Sequence, residues 1–179
     1  MAYSRGSSSN IIVGAAALFT HNAGPIGYTS NGLELAFQPD FGDVAVDQLL
    51  DVARLFKQGM TVNLNTSFAE ATLENLLVAI AGSDTDLTSA TGLQTLKMSA
   101  GDIGDVPLER GLVAVGPGSG SSLDPKERIY VAYRALSIEN VTVSAKRDEA
   151  TMFEVSFRLL PNDNASYGKI VDRTVGVGS

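Results

Sequence analysis

Residues 59–68, GMTVNLNTSF, alternate apolar and short polar side chains without a break. On an extended backbone Met60, Val62, Leu64, Thr66 and Phe68 fall on one face, with Thr61, Asn63, Asn65 and Ser67 on the other. A period of two cannot be an amphipathic helix, whose buried stripe recurs at three and four residues. The stretch is therefore a half-buried strand, and one strand needs partners to be stable. In GLELAFQ (32–38), Leu33, Leu35 and Phe37 oppose Glu34, Ala36 and Gln38. ERIYVAYRAL (127–136) is rich in aromatic and β-branched residues. SIENVTVSA (137–145) sets Val141, Val143 and Ala145 against Asn140, Thr142 and Ser144. ATMFEVSFRLLP (150–161) sets Phe153, Val155, Phe157 and Leu159 inward against Glu154, Ser156 and Arg158. With the charged run Lys146–Glu149 as its tip, 137–160 reads as one long β-hairpin. The expected fold class is mainly β.

One helix is expected, from Thr72 to about residue 81: Thr72 caps it, Glu74 sits in the first turn and Gly82 is the stop. Leu73, Leu76, Leu77 and Ile80 would be its buried stripe. DQLLDVARLFKQG (47–59) fits a helix by the spacing of Leu49, Leu50, Ala53 and Phe56, while Val44 and Val46 before it fit a strand; the residues alone leave both open. GSDTDLTSATG (82–92) and GPGSGSSLDP (116–125) read as surface loops. The 179 residues suit a single domain spanning 1–179, with a flexible serine-rich arm at 1–10 and a C-terminal extension at 161–179. The apolar run Ile11–Phe19 is short for a secretory signal, and His21 is too large for the cleavage position it would hold. No run approaches the ~20 apolar residues of a membrane-crossing helix.

Reactive chemistry finds little support. There is no cysteine, which removes disulfides and thiolate metal sites. The only histidine, His21, near Gly24-Pro25 in an expected turn, has no evident nucleophile or orienting acid. Asp84 and Asp86 resemble the start of a calcium loop, but Thr95 stands where that loop needs glutamate. Asp163 in PNDN is a turn residue. Glu34 and Glu154 could pair as a glycosidase dyad, yet the chain has no Trp to carry sugar platforms. The expectation is a non-enzyme without metal or cofactor. A net charge of −7 argues against electrostatic capture of nucleic acid.

At DVAVDQLLDVARLFKQGMTVNLNTSFAEATLENLLVAIAG (43–82) and ALSIENVTVSAKRDEATMFEVSFRLLPNDNASYGKIVD (135–172) the chain resembles the major tail tube proteins of tailed bacteriophages. The matching features are Val46-Asp47-Gln48, an extended hairpin, AEATLENL leading into one helix, and a Leu-Pro exit before Gly-Lys-Ile. They cover about half the chain. The resemblance implies a β-sandwich or barrel-like fold with one flanking helix, related to the tube protein of type VI secretion. It implies hexameric rings, stacked into a tube that conducts DNA into the host without binding it specifically. It turns 43–59 into a protruding stacking hairpin, with Asp43, Val46, Asp47, Gln48, Leu50, Leu55 and Phe56 as inter-ring contacts. Its implied partners are further copies of the chain, a tape measure protein, and tail terminator and baseplate proteins; the location is the virion, and no membrane insertion is expected. A baseplate ring, a head decoration or a secreted glycan-binding sandwich are the alternatives.

A DNA conduit must not grip its cargo, and each cation on its wall would neutralise a phosphate and add affinity. The expected lumen lining is therefore the two charge-poor rows Thr61, Asn63, Asn65, Ser67 and Asn140, Thr142, Ser144, with Glu34 and Glu154. Arg158 interrupts the pattern; pairing with Glu154, or a place beyond the lumen, would reconcile it.

Overall fold

The computed structural model describes residues 12, 14–20, 24–45, 52–99, 103–105, 107–120, 125–143, 147–148 and 150–175. The strands are β1 (Ala17–Thr20), β2 (Gly24–Gly27), β3 (Thr29–Ala45), β4 (Val52–Phe68), β5 (Leu87–Ala90), β6 (Leu93–Leu96), β7 (Arg110–Pro117), β8 (Lys126–Ser137), β9 (Phe153–Leu160) and β10 (Gly168–Thr174). One helix, α1 (Leu73–Ala79), follows β4. Eight strands form one antiparallel sheet in the order β2-β1-β7-β8-β9-β4-β3, with β10 beside β8, and β5–β6 is a separate hairpin. The fold is mainly β and sandwich-like, as expected.

The connectivity forces this sheet to roll. β2 and β3 lie at opposite ends of the strand order, yet only Tyr28 separates them in sequence. Laid flat, those strands would stand roughly 30 Å apart, far beyond the reach of one residue. Rolling closes the distance: Thr29 Oγ1 donates to the Ala16 carbonyl at 3.3 Å, and the Ala69 amide donates to the Tyr28 carbonyl at 2.9 Å. Inside the roll lie Phe68, Phe153, Phe157, Leu18, Leu112 and Val62, all essentially without solvent contact. The Phe68 and Phe157 ring centroids are 6.3 Å apart. Burying each such side chain stabilises the fold by about 1.5–3 kcal/mol. Among the described residues the roll does not close into a barrel.

β8 is the fork of the sheet, with β7, β9 and β10 all paired to it. β9 pairs with β4 along Val62–Phe68 and with β8 only along Arg134–Ser137. Pro161 then ends it, and Asn162 organises the turn by accepting the amides of Asn164 and Ser166 on Oδ1 at 3.1 and 3.0 Å. β10 next takes up the edge of β8 from Gly168 to Thr174. The expected C-terminal extension thus holds a sheet strand. The N-terminal half of β4, before Val62, pairs only with β3 among the described strands.

Several expectations change. Residues 43–45 and 52–59 are extended and paired, so the described part of the ambiguous segment is strand and not helix, while 46–51 lie outside the described residues. The span 137–160 is not one hairpin: β8 stops at Ser137, β9 starts at Phe153, and 138–143 form no strand. Of its alternating residues Val141 packs on the core, while Asn140, Thr142 and Val143, the last expected on the face of Val141, are exposed. Residues 82–92 are not a plain loop, since a 3-10 turn over Asp84–Asp86 leads into β5. Gly24-Pro25 opens β2 and is not a turn. α1 is rotated from the expected stripe: Asn75, Leu77, Val78 and Ala79 are buried, whereas Ile80 is exposed. The arm at 1–10 and His21 lie outside the described residues.

Candidate functional site

In an antiparallel sheet, directly opposed residues share a face. The polar positions of β3, β4 and β9 are registered with one another. Gln38 opposes Thr61; Ala36, Asn63 and Arg158 form a row; Glu34, Asn65 and Ser156 form the next; Ser30, Ser67 and Glu154 form the last. The result is one polar strip on the outside of the roll, three strands wide and roughly 20 Å long from Thr61 to Ser67.

Burial within the strip is uneven. Glu34, Glu154 and Arg158 are exposed, and Thr61, Asn63 and Asn65 are half-buried. Ser67 and Ser156, both expected to face solvent, are buried. Ser156 is accommodated because its hydroxyl donates to Asn65 Oδ1 at 2.8 Å. Asn63 Oδ1 is buried and finds no hydrogen-bond partner among the described residues. A shallow depression of about 260 Å³ opens over the last two rows, bounded by the carboxylates of Glu34, Glu139 and Glu154. Among the described residues no cluster of His, Cys, Asp or Glu could hold a metal ion.

The second expected row does not join this strip as a strand. Asn140 and Thr142 lie in the irregular segment after β8, and Ser144 is outside the described residues. Arg158 does not pair with Glu154. Four residues along one strand separate them by roughly 13 Å, and Arg158 makes no ion pair among the described residues. It stands alone on the strip beside Asn63.

Four other arginines are tied up away from the strip. Arg128 Nε meets Asp172 at 2.6 Å and Arg173 meets Glu127 at 2.7 Å, both across the β8–β10 ladder. Arg134 meets Glu109 at 2.5 Å and also donates to the Pro161 carbonyl at 2.8 Å. Arg110 meets Asp84 at 2.7 Å. Hydrogen bonds from Arg128 and from Arg134 hold the Asp172 and Glu109 carboxyls, respectively, below the usual carboxylate range.

The hairpin of β3 and β4 carries exposed apolar groups on both faces. Phe41 and Leu55 lie on one, Val44 and Phe56 on the other, and all four are exposed. Of the expected contact residues, Asp43, Leu55 and Phe56 are exposed as required, while Val46, Asp47, Gln48 and Leu50 lie outside the described residues. Sequence reasoning omitted Phe41 and Val44 from the contact residues and Gln38 and Ser30 from the polar strip. Phe37, expected inward with Leu33 and Leu35, is exposed even though its row, Phe37–Val62–Leu159, still includes β9.

Fold and surface define a mainly-β, sandwich-like protein with a registered polar sheet face, strand edges unpaired among the described residues and a projecting hairpin. Comparison with known proteins finds no family model and no curated protein that matches the chain.

Proposed function

We propose that the chain is a tube-forming structural subunit, of the kind that makes the tail tube of a bacteriophage and passes DNA through its lumen. The observation that carries this reading is the registered strip on β3, β4 and β9: eleven positions across three strands with two carboxylates, one arginine and otherwise small or amide side chains. A solvated sheet face commonly carries lysine and glutamate in alternation. This strip instead stays wetted while offering phosphates almost nothing to hold.

The edges support assembly. β3 is an edge strand of seventeen residues, interrupted only by Pro39 and its bulges. Long edges invite pairing with another chain unless blunted, and head-to-tail pairing closes into a ring when the rotation permits. In this reading rings form by edge contacts, the strips line the lumen, and the hairpins join successive rings. A baseplate ring or head decoration of related fold would share the edges but not extend into tubes. Negative-stain imaging of the purified chain tests the proposal: long hollow tubes support it, and monomers at assembly concentrations refute it.

A further inference from the structure

Where β4 and β10 diverge from β9, a groove of about 530 Å³ opens between them. Its floor is apolar, with Leu35, Val62, Tyr130 and Leu159, and Tyr167 braces it by donating its hydroxyl to the Met60 carbonyl at 2.6 Å. Lys57 stands on one rim and Lys169 on the other, and no carboxylate lines the groove. Neither lysine meets a carboxylate elsewhere among the described residues; Lys57 Nζ reaches only the Met60 sulfur, at 3.6 Å. Both walls are strand edges without ladder partners on the groove side among the described strands.

The hairpin has the opposite composition. Residues 40–51, DFGDVAVDQLLD, carry four aspartates and no lysine or arginine. Asp40 and Asp43 meet no cation among the described residues. Apolar groups on both faces suit a segment that enters between two walls. The molecule cannot fill its own groove with this tip, because Lys57–Met60 form a wall of the groove and Val52 lies roughly 17 Å further along the same strand.

We propose that the groove between β4 and β10 is the acceptor for the acidic, apolar hairpin tip of a second copy of this chain. This rests on the reading of the chain as a self-assembling subunit and names the surface that receives the hairpin. Donor and acceptor are different surfaces, so the contact is head-to-tail and can repeat without limit. Apolar burial supplies the attraction, and the Lys57 and Lys169 rims facing aspartates set register and exclude other partners.

The absence of native cysteine makes the test direct. The full chain carrying both Leu55→Cys and Ile170→Cys, two exposed positions, is assembled, oxidised and run on a denaturing gel. A ladder of covalently linked chains is expected, and none from Leu55→Cys paired with Met98→Cys. Lys169→Glu, with its melting curve confirming the fold, is expected to cut the assembled fraction about tenfold, and Asp43→Lys added to it to restore assembly. Tubes that form normally with Lys169→Glu and yield no Leu55–Ile170 cross-link would overturn the acceptor while leaving the tube reading intact. Failure of the unaltered chain to assemble at all would overturn both.

Discussion

Ala81 sits at φ +54°, in the left-handed region, just past α1. The amides of Ala81 and Gly82 donate to the Val78 and Leu77 carbonyls at 3.4 and 3.0 Å, which is the double bond pattern that closes many helices. The sequence places glycine one position later than the strained residue. A Cβ at Gly82 would come within 2.6 Å of Leu77 Cδ1, so the Leu77 side chain would have to shift to admit one. Ala81→Gly is expected to stabilise the protein by about 0.5–1 kcal/mol, read as a raised denaturation midpoint. Asn75 carries the opposite lesson. It reads as a solvent-facing helix residue, yet it is 5% exposed and its amide donates to the Ile26 and Glu70 carbonyls at 2.7 and 2.9 Å. It ties the entry to β3 onto the helix, a bond between positions 49 apart that no local pattern reveals. Asn75→Leu keeps the branched four-heavy-atom shape and strands both carbonyls, so a loss of about 2 kcal/mol in urea denaturation is expected.

Strands were legible wherever one face meets the core along their whole length, as in β4 from Val62 to Phe68 and in β9. They were misread where alternation formed no strand, as at 138–143, or was short and exposed, as in β5 and β6. β10 escaped notice because its residues past Gly168 are exposed and its stability comes from pairing with β8 and from the Arg128–Asp172 and Glu127–Arg173 ladder. The lowered Asp172 and Glu109 carboxyls set a pH dependence. A depressed folded-state value contributes stability that is present above the unfolded carboxylate range, near pH 4, and is lost as pH falls through the folded value. Thermal stability should therefore hold between about pH 7 and 5 and fall below about pH 4. Asp172→Asn should melt lower at neutral pH and converge on the unaltered protein near pH 3; parallel curves would contradict this. Among the described residues, the hairpin between Asp43 and Lys57 contributes nothing to the core cluster. Its deletion should leave a folded, soluble subunit that forms no tubes, and tubes from that variant would remove its assembly role.

At the scale of the molecule, strand content and the polar strip could be read from alternation, but the roll could not. It depends on β2 and β3 being consecutive in the chain and terminal in the sheet, a fact of pairing rather than of composition. The strip itself required register, because only alignment places Glu34, Asn65 and Ser156 side by side and brings Arg158 onto the same surface. The central claim is that copies of this rolled sheet surround a bore lined by that strip. A cryo-electron microscopy reconstruction of the assembled full chain tests it most directly. The account predicts a hollow tube with Thr61, Asn63, Asn65 and Glu34 facing the lumen. A tube with that strip on its outer wall, or a lumen lined by the Arg128–Asp172 ladder instead, would contradict it.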